Sequence, residues 1–593
     1  MEKLNNTIPT KLFALGGIEE IGKNMYIIEH DDEIWIIDCG NKFVDKNVFL
    51  GFSCIICPFE YLVTNQSKIK GMIITHGHED HIGGIPYLLK RVSIPVIFAG
   101  KLTIKIVERK LKEHSGIKPH VFQEINDNSI LVSKNNEPQL KTYLEKQDNL
   151  YTVINVETKH FIIDFYRVCH SIPDAFGICF KTPNGIICTT GDFRFDFLTS
   201  GDESDINKMA IVGRREVDIL MCECTNAQTP GFSISEKYVI DELSKIIRTC
   251  AARIIVTIFA SNLHRIEEII EVAIQNGRKI VIFGRSMDNN VRVAIETKLL
   301  NVPNGTIISP LEMNNLSPSE VLILTTGTQG EEMAALNQMA MGNHRAITLQ
   351  PDDTIIFSSN PIPGNFESVQ SLLNKLYRVG VNIFISNHES KIHSSGHATQ
   401  TELQLLIKLI NPLYLVPIHG EFKMLAALRQ EGNEVGIVED RVIQVSNGQK
   451  IGLLNNRAKI LDERVEIYDV FVDGNKVNAD KDNILKNRQI LSQNGIVGIT
   501  IVLDRTTKRI TETPVIAVRG SFDARTIPDL ILKTTHGIRS NLEEVMKNKN
   551  TIINDAEIKS IIQKTALFFI EKYFAKKPLI HSTIFYVDGL PTN

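Results

Sequence analysis

No stretch of about 18 consecutive apolar residues occurs in the 593-residue chain, so no segment is built to cross a bilayer as a helix. Met1-Glu2-Lys3-Leu4-Asn5-Asn6-Thr7 lacks the apolar core of a secretory leader, and a cytoplasmic location with no membrane partner is expected. Cysteine is sparse and scattered. The closest pair of the nine, Cys222 and Cys224, has one residue between, not the two of a zinc knuckle or redox motif. The thiols read as free, in a reducing compartment. Charge of one sign is lacking too: 65 Lys and Arg stand against 69 Asp and Glu, a net charge of −4. That gives no global attraction to nucleic acid, so a polynucleotide's phosphates would have to be met by local groups and metals. What is present, 43% hydrophobic and 23% charged residues, is the composition of a soluble globular protein. The length exceeds one ordinary core, and about two to four domains are expected.

The most informative stretch is Ile73-Ile74-Thr75-His76-Gly77-His78-Glu79-Asp80-His81-Ile82-Gly83-Gly84, with three histidines and an aspartate in six residues after an apolar strand. Imidazole and carboxylate donors suit zinc, and a strand end running into a glycine-rich loop turns several inward at once. His76 and His78 can serve one metal, leaving Asp80 and His81 for a second beside it. Two adjacent cations clamp the attacking and leaving oxygens of a displacement, usually at phosphorus. A solvated His-rich loop is the simpler alternative, but the ligand types such a site still needs recur downstream. His170 in Val168-Cys169-His170-Ser171-Ile172-Pro173-Asp174 and Asp192 in Thr190-Gly191-Asp192-Phe193 each end an apolar strand, as does His419 in Val416-Pro417-Ile418-His419-Gly420-Glu421. Asp38, ending Trp35-Ile36-Ile37, is either a partner to a ligand histidine or a turn aspartate.

Strands and short helices alternate up to about residue 218, as in an α/β layered domain. From Ile219 the pattern becomes strand, helix, strand, helix (Ser235 to Thr249, Ile254 to Phe259, His264 to Gln275, Lys279 to Phe283), a parallel arrangement with its own core. Residues 133–149 are polar and read as a surface insertion without chemistry. The resulting division is 1–218 and 386–455 for a split metal domain, 219–385 for a domain inserted in it, 456–480 for a linker, and 481–593 for a small α+β domain. In the last, Ala556 to Ala575 repeats apolar residues at helical spacing after an Asn554-Asp555 start.

These residues resemble the metallo-β-lactamase superfamily and, within it, the β-CASP nucleases of the ribonuclease J family. The resemblance runs through Gly22-Lys23-Asn24-Met25, the His76–His81 loop, Thr225-Asn226-Ala227, Phe259-Ala260-Ser261-Asn262, Ser359-Asn360-Pro361-Ile362-Pro363-Gly364-Asn365 and Ser395-Gly396-His397. It implies an αββα sandwich interrupted by a parallel α/β β-CASP domain. It also implies two zinc ions: one held by His76, His78, His170 and Asp192, the other by Asp80, His81, Asp192 and His419, with Asp192 shared. Glu223 and His397 match the acidic and histidine motifs of β-CASP catalysis, and a histidine at 419 is typical of members acting on RNA. Ser261, Asn262 and the run His393, Ser394, Ser395, Gly396 and His397 match the region that binds a nucleotide's phosphate. One departure stands out. The usual Ser-Asp-Ser is here Cys222-Glu223-Cys224, so the carboxylate is one methylene longer.

The expected chemistry is attack on the scissile phosphorus, leaving a 5′-phosphate and a 3′-hydroxyl. Asp80 would orient the nucleophile, and His397 would protonate the departing oxygen or hold the phosphate. Backbone amides before the helix at Gln400 would receive a terminal 5′-phosphate. Single-stranded RNA would be the partner, cut by 5′-to-3′ exonuclease and by endonuclease action in mRNA decay and rRNA processing. The resemblance further implies a dimer or tetramer, or pairing with a paralogue, within an RNA-decay assembly. Lys23, Arg265 and Arg285 are read as ion pairs rather than phosphate contacts. A small-ester hydrolase, a silent scaffold and a DNA nuclease are the rival readings; the first has no need of an inserted domain, the second predicts lost ligands, and the third would be indifferent to the 2′-hydroxyl.

Overall fold

The computed structural model describes residues 7–44, 51–118, 120–125, 141–147, 150–198, 201, 203–331, 333–361, 365–386, 391–474, 476–477, 481–507, 509–523, 525, 527–548 and 554–588. Contacts divide it into one unit of residues 1–43 and 54–475 and a second of 44–53 and 476–593.

In the first unit the alternation of side chains along each strand builds two cores at once. Leu12, Ala14, Tyr26, Ile28, Trp35 and Ile37 face the interior of a sandwich, where they meet Phe165, Phe176, Ile178 and Phe180 of its other half. Their neighbours Phe13, Leu15, Ile27, Ile34 and Ile36 face outward and are covered by Ile82, Ile85, Leu88, Ile104 and Val107. Strand pairing is continuous around this sandwich, from Tyr414–Ile418 through Ile219–Glu223 and Gly185–Thr189 to Thr10–Gly16 and Gln449–Leu454. Together with the helices on both outer faces, this is the expected αββα architecture.

The inserted domain is a five-stranded, wholly parallel sheet in the order Lys279–Phe283, Val321–Thr325, Ile254–Thr257, Thr354–Phe357, Asn382–Ile385. Its strands are apolar on both faces because helices cover both. Ile254 and Val256 pack with Val239, Leu243, Ile266 and Ile270 on one side. Ile255 packs with Leu336, Val369, Leu372 and Leu376 on the other. Strand order reverses around Ile254–Thr257, and Ser261 and Asn262 follow the carboxyl end of that strand, where α/β sheets present their binding residues.

Two boundaries differ from the sequence reading. Ile219–Glu223, expected to open the inserted domain, pairs between Gly185–Thr189 and Tyr414–Ile418 and so belongs to the sandwich. The stretch 456–480, read as a linker, carries the strands Arg457–Arg464 and Val470–Asp473, which pair with Gln449–Leu454 and Cys54–Ile56. Single-strand pairing of this kind leaves no periodic signal strong enough to separate it from linker. Of the insertion 133–149, residues 141–147 form a strand paired with Leu150–Glu157, and the rest lies outside the described residues, as do 362–364 of the late motif.

The second unit is α+β. Ile496–Asp504 lies between antiparallel Val515–Arg519 and parallel Leu579–Val587. Val497, Ile499 and Ile501 pack with Ile538, Leu542, Ile558, Ile562 and Ile570, which places the expected helix, Asp555–Phe574, against the sheet. Among the described residues no helix is long and apolar enough to cross a membrane.

Candidate metal centre

The His loop leaves the carboxyl end of the buried strand Ile69–Ile73 and turns into the short helix Glu79–Ile82. Its path is pinned from below. Cys39 N–H donates to His81 O, Asn24 N–H to Asp80 O, and Thr75 N–H to Asp38 Oδ1, at 2.8, 3.0 and 2.7 Å. Gly40 has to be glycine, because a Cβ there would lie 1.6 Å from the carbonyl oxygen of Asp80.

Seven side chains converge above this base in two groups. In the first, His78 Nδ1 lies 3.1 Å from both His76 Nε2 and His170 Nε2, with Asp192 Oδ2 at 3.7 and 3.9 Å from those two nitrogens. In the second, Asp80 Oδ2 is 3.1 Å from His419 Nε2 and 3.6 Å from His81 Nε2, while Asp192 reaches His81 and His419 at 3.3 Å each. The donor atoms of His76, His78 and His170 lie within 4.8 Å of one another, as do those of Asp80, His81, Asp192 and His419, and Asp192 stands between the two sets. Three imidazole nitrogens brought nose to nose repel as lone pairs unless a cation sits between them, so the donor set fits metal ions.

Electrostatics distinguish the two groups. Burial lowers His81, but Asp192, Asp80 and Asp38 outweigh it and push its imidazole well above the ordinary value, so in the second group a proton stands where a cation would be held. Burial holds His76 and His170 well below the ordinary imidazole value and His78 down to about 4, which keeps them neutral with free lone pairs. Burial works against the ionised forms of Asp80 and Asp192, but His81 and His419 outweigh it and hold both carboxyls below their usual range.

Each of the five histidines has one ring nitrogen tied to a group outside the donor sets, which fixes ring orientation. His76 Nδ1 meets Thr75 Oγ1 at 3.0 Å, His81 Nδ1 meets Asp38 Oδ2 at 2.8 Å, and His419 Nδ1 meets Thr225 Oγ1 at 2.9 Å. His78 Nε2 reaches Ser261 Oγ of the inserted domain at 3.0 Å, and His170 Nδ1 reaches the carbonyl of Gly396 at 2.7 Å. Asp38 is thus the histidine partner rather than a plain turn residue. Asp38 and His419 both hold left-handed backbone, with φ of 59° and 53°, strain that non-glycine residues keep only where the surroundings impose it.

Beside the metal groups, Glu223 accepts from His397 Nδ1 with both oxygens, at 3.0 and 3.1 Å, and from Phe193 N–H at 3.0 Å. Burial depresses His397, but the Glu223 carboxylate overrides it and lifts the imidazole to about 9.

The phosphate-region residues divide. Ser261 and Ser395 stand at the site, with Ser395 Oγ accepting from Asn226 Nδ2 and from His397 N–H, at 2.7 and 3.2 Å. Asn262, His393 and Ser394 do not. Asn262 caps the helix Leu263–Gln275, His393 Nδ1 faces Arg265 Nη1 at 3.0 Å, and Ser394 Oγ takes the Arg194 guanidinium at 2.6 Å. His393 and Ser394 join a network in which Arg265 and Arg194 share Glu236 and Arg194 also pairs with Asp196. Arg265 is thus the ion pair it was read to be, and Lys23 is another, with Glu20 and Asp469. The helix amides after Ser395 are also taken: Thr399 and Glu402 form a capping box, and the amides of Gln400 and Thr401 donate to Thr229 O and Gly231 O. A 5′-phosphate therefore has no open amide at Gln400 or Thr401. Cys54 and Cys57, at Cys-x-x-Cys spacing, are buried with thiols pushed up to about 11 and about 12, unlike a metal-binding pair.

Sequence reasoning missed Thr75, Thr225 and Asn24 as supports. Asn24 and Thr225 fall inside motifs singled out above, but nothing in a motif says which side chain faces a ligand.

Comparison with known proteins covers the same ground. Residues 19–133 match the metallo-β-lactamase superfamily, 251–376 the ribonuclease J β-CASP domain, 388–442 the Zn-dependent metallo-hydrolase RNA specificity domain, and 483–587 the ribonuclease J C-terminal domain. The chain is 44% identical over 582 residues to ribonuclease J of Mycoplasma pneumoniae, covering 98% of both chains. It is 39% identical to ribonuclease J 1 of Streptococcus pyogenes, over 96% of each, and 31% identical to ribonuclease J2 of Bacillus subtilis, over 98% and 99%. A protein of unknown function from Enterococcus faecalis shares the fold, with a TM-score of 0.50 at 15% identity, over 76% of this chain and all of that one. With nearly every residue aligned to these relatives and the metal-binding donors assembled as described, the chain belongs to the ribonuclease J family and is a metal-dependent nuclease with RNA as its substrate.

Proposed function

We propose that the protein is a two-zinc ribonuclease that degrades single-stranded RNA from a 5′-monophosphate end in the 5′-to-3′ direction and also cuts internally. The observation that carries this reading is the pair of adjacent donor groups with Asp192 between them, and His397 and two serine hydroxyls beside them. His76, His78, His170 and Asp192 would hold one ion and Asp80, His81, Asp192 and His419 the other. Zinc bound there would supply Lewis acidity at the phosphoryl oxygens and acidify water enough to make it a nucleophile at neutral pH.

The side chains have separable tasks. Asp80 would orient the attacking water. Glu223 holds His397 by Nδ1, leaving Nε2 to protonate the departing 3′-oxygen. Because His78 turns Nδ1 to the metal group, its Nε2 carries the proton and donates to Ser261 Oγ. Ser261 therefore keeps its own hydroxyl proton for a phosphate oxygen. Ser395 does too, since its oxygen already accepts two bonds. Two hydroxyl donors beside the donor groups support a terminal-phosphate site, which is the reading retained for Ser261, Ser395 and Gly396. We place the enzyme in the cytoplasm as a homo-oligomer or a hetero-oligomer with a paralogue, acting in mRNA decay and rRNA processing.

The test is degradation by wild type and His78→Ala of one RNA bearing 5′-monophosphate, 5′-triphosphate or 5′-hydroxyl, with a matched DNA. Mononucleotides released fastest from the monophosphate RNA by wild type, and not by the variant, are the expected outcome. Equal rates on all three ends would remove the 5′-pocket, and equal rates on DNA would remove the preference for RNA.

A further inference from the structure

Asn24 is fully buried beside the second donor group. Its backbone N–H and its side-chain Nδ2 both donate to the carbonyl of Asp80, at 3.0 and 3.1 Å. Nδ2 also lies 3.4 Å from Asp80 Oδ2 and 3.1 Å from His81 Nε2, the two atoms aimed at a second ion. The other end of the amide is fixed. Tyr26 donates its hydroxyl to Asn24 Oδ1 at 3.0 Å, and Tyr26 is itself buried. Gly17 (φ 93°) walls the pair in: a Cβ there would stand 2.4 Å from Asn24 Oδ1 and 2.6 Å from the Tyr26 hydroxyl. Gly17 also offers its carbonyl to the amide of His419 at 2.7 Å, so one turn of chain supports both ends of the second group.

We propose that Asn24 is the positioning residue of the second metal site, its amide holding Asp80 in the ligand pose and Tyr26 holding the amide. The orientation follows from the chemistry. An ionised Asp80 only accepts hydrogen bonds, so the NH2 end of Asn24 must face it, and the carbonyl end must face the one hydroxyl that can donate. The first donor group receives nothing from Asn24; its supports are Thr75, Ser261 and Gly396. Loss of Asn24 therefore weakens one site and spares the other. Partners of this kind typically change metal affinity about 10- to 100-fold.

This inference rests on the two-metal reading, and one experiment separates their failures. Chelator-stripped full-length wild type, Asn24→Ala and Tyr26→Phe are titrated with Zn2+ against a chromophoric chelator, with melting curves as a folding control. Wild type binding two equivalents sustains the two-metal reading; one equivalent overturns it and the inference with it. Asn24→Ala is expected to keep the tighter or weaker equivalent that depends on His76, His78 and His170 and to lose about 10- to 100-fold in the other. Tyr26→Phe, lacking only a hydroxyl, is expected to shift the same equivalent by a smaller factor, and it decides the matter if the alanine variant does not fold. Excess zinc should restore cleavage by Asn24→Ala. Two unchanged equivalents, or equal weakening of both, would overturn the assignment, since general loosening cannot choose one site.

Discussion

The carboxylate of Glu223, one methylene longer than the aspartate the sequence resemblance leads one to expect, makes a sharp prediction. In Glu223→Asp the carboxylate withdraws by about one carbon–carbon bond, ~1.5 Å. The contacts to His397 Nδ1 at 3.0 and 3.1 Å and to Phe193 N–H at 3.0 Å would then open beyond hydrogen-bonding distance. A hydrogen bond to a charged group contributes about 1.5–3 kcal/mol, and a buried amide left without an acceptor costs about as much again. Phe193 is fully buried and adjoins Asp192, so water cannot fill the gap and the shared ligand is disturbed with it. Loss of the His397 contact alone corresponds to a rate about 10- to 100-fold lower. The assay is single-turnover cleavage of 5′-monophosphorylated RNA at saturating metal, with Glu223→Gln as companion. Glutamine keeps the reach and loses the charge, so aspartate and glutamine separate the two contributions. Cleavage by Glu223→Asp at the wild-type rate would refute the reasoning, showing that the main chain closes the gap and the longer side chain is incidental.

Three further outcomes are expected. Asp38→Asn keeps a residue tolerant of left-handed backbone but sets an NH2 against donors now satisfied by the carboxylate, so zinc affinity should fall about 10- to 100-fold by chelator competition; unchanged affinity would return Asp38 to a turn residue. Arg265→Met removes the nearer of the two guanidinium partners of Glu236 and leaves Arg194 at 3.5 Å, so the loss should stay at or below the about 3–5 kcal/mol of a fully broken buried pair; the lowered melting temperature should partly recover in Arg265→Met with Glu236→Gln, and no recovery would place the loss in packing instead. His393 is held to about 3 by burial and by Arg265, whereas the unfolded chain's imidazole takes a proton below its ordinary 6.5. The native state then binds fewer protons, so stability is full above about 6.5 and falls as pH drops toward about 3. His393→Gln should flatten that limb of the melting curve, and an unaltered limb would assign it to other groups.

The convergence of these donors was legible because the residue types are chemically rare and four of the seven, His76, His170, Asp192 and His419, follow apolar strands. Fold class followed from the change in texture at Ile219, though the sheet keeps that strand for the sandwich, since one apolar run looks alike in either domain. The phosphate region was half legible. Ser261 and Ser395 face the site, while Ser394, one residue away, turns its hydroxyl to Arg194. Alternation along an extended segment decides this, and its phase cannot be read without the register of neighbouring strands. The amides of Gln400 and Thr401, just after the expected phosphate segment, are occupied by Thr229 and Gly231 from a segment some 170 residues away, beyond the reach of any local signal.

The shared-ligand arrangement also bears on how a cell makes such an enzyme. The donors are spread from His76 to His419, and the rings of His78 and His170 are steadied by Ser261 and Gly396. A nascent chain emerging from the ribosome carries the conspicuous histidine loop early, yet cannot complete the first donor group's supports before residue 396, nor the second group before 419. Translation itself takes place on RNA. A nuclease whose second donor group includes so late a residue has no complete pair of donor groups until most of the chain has been made.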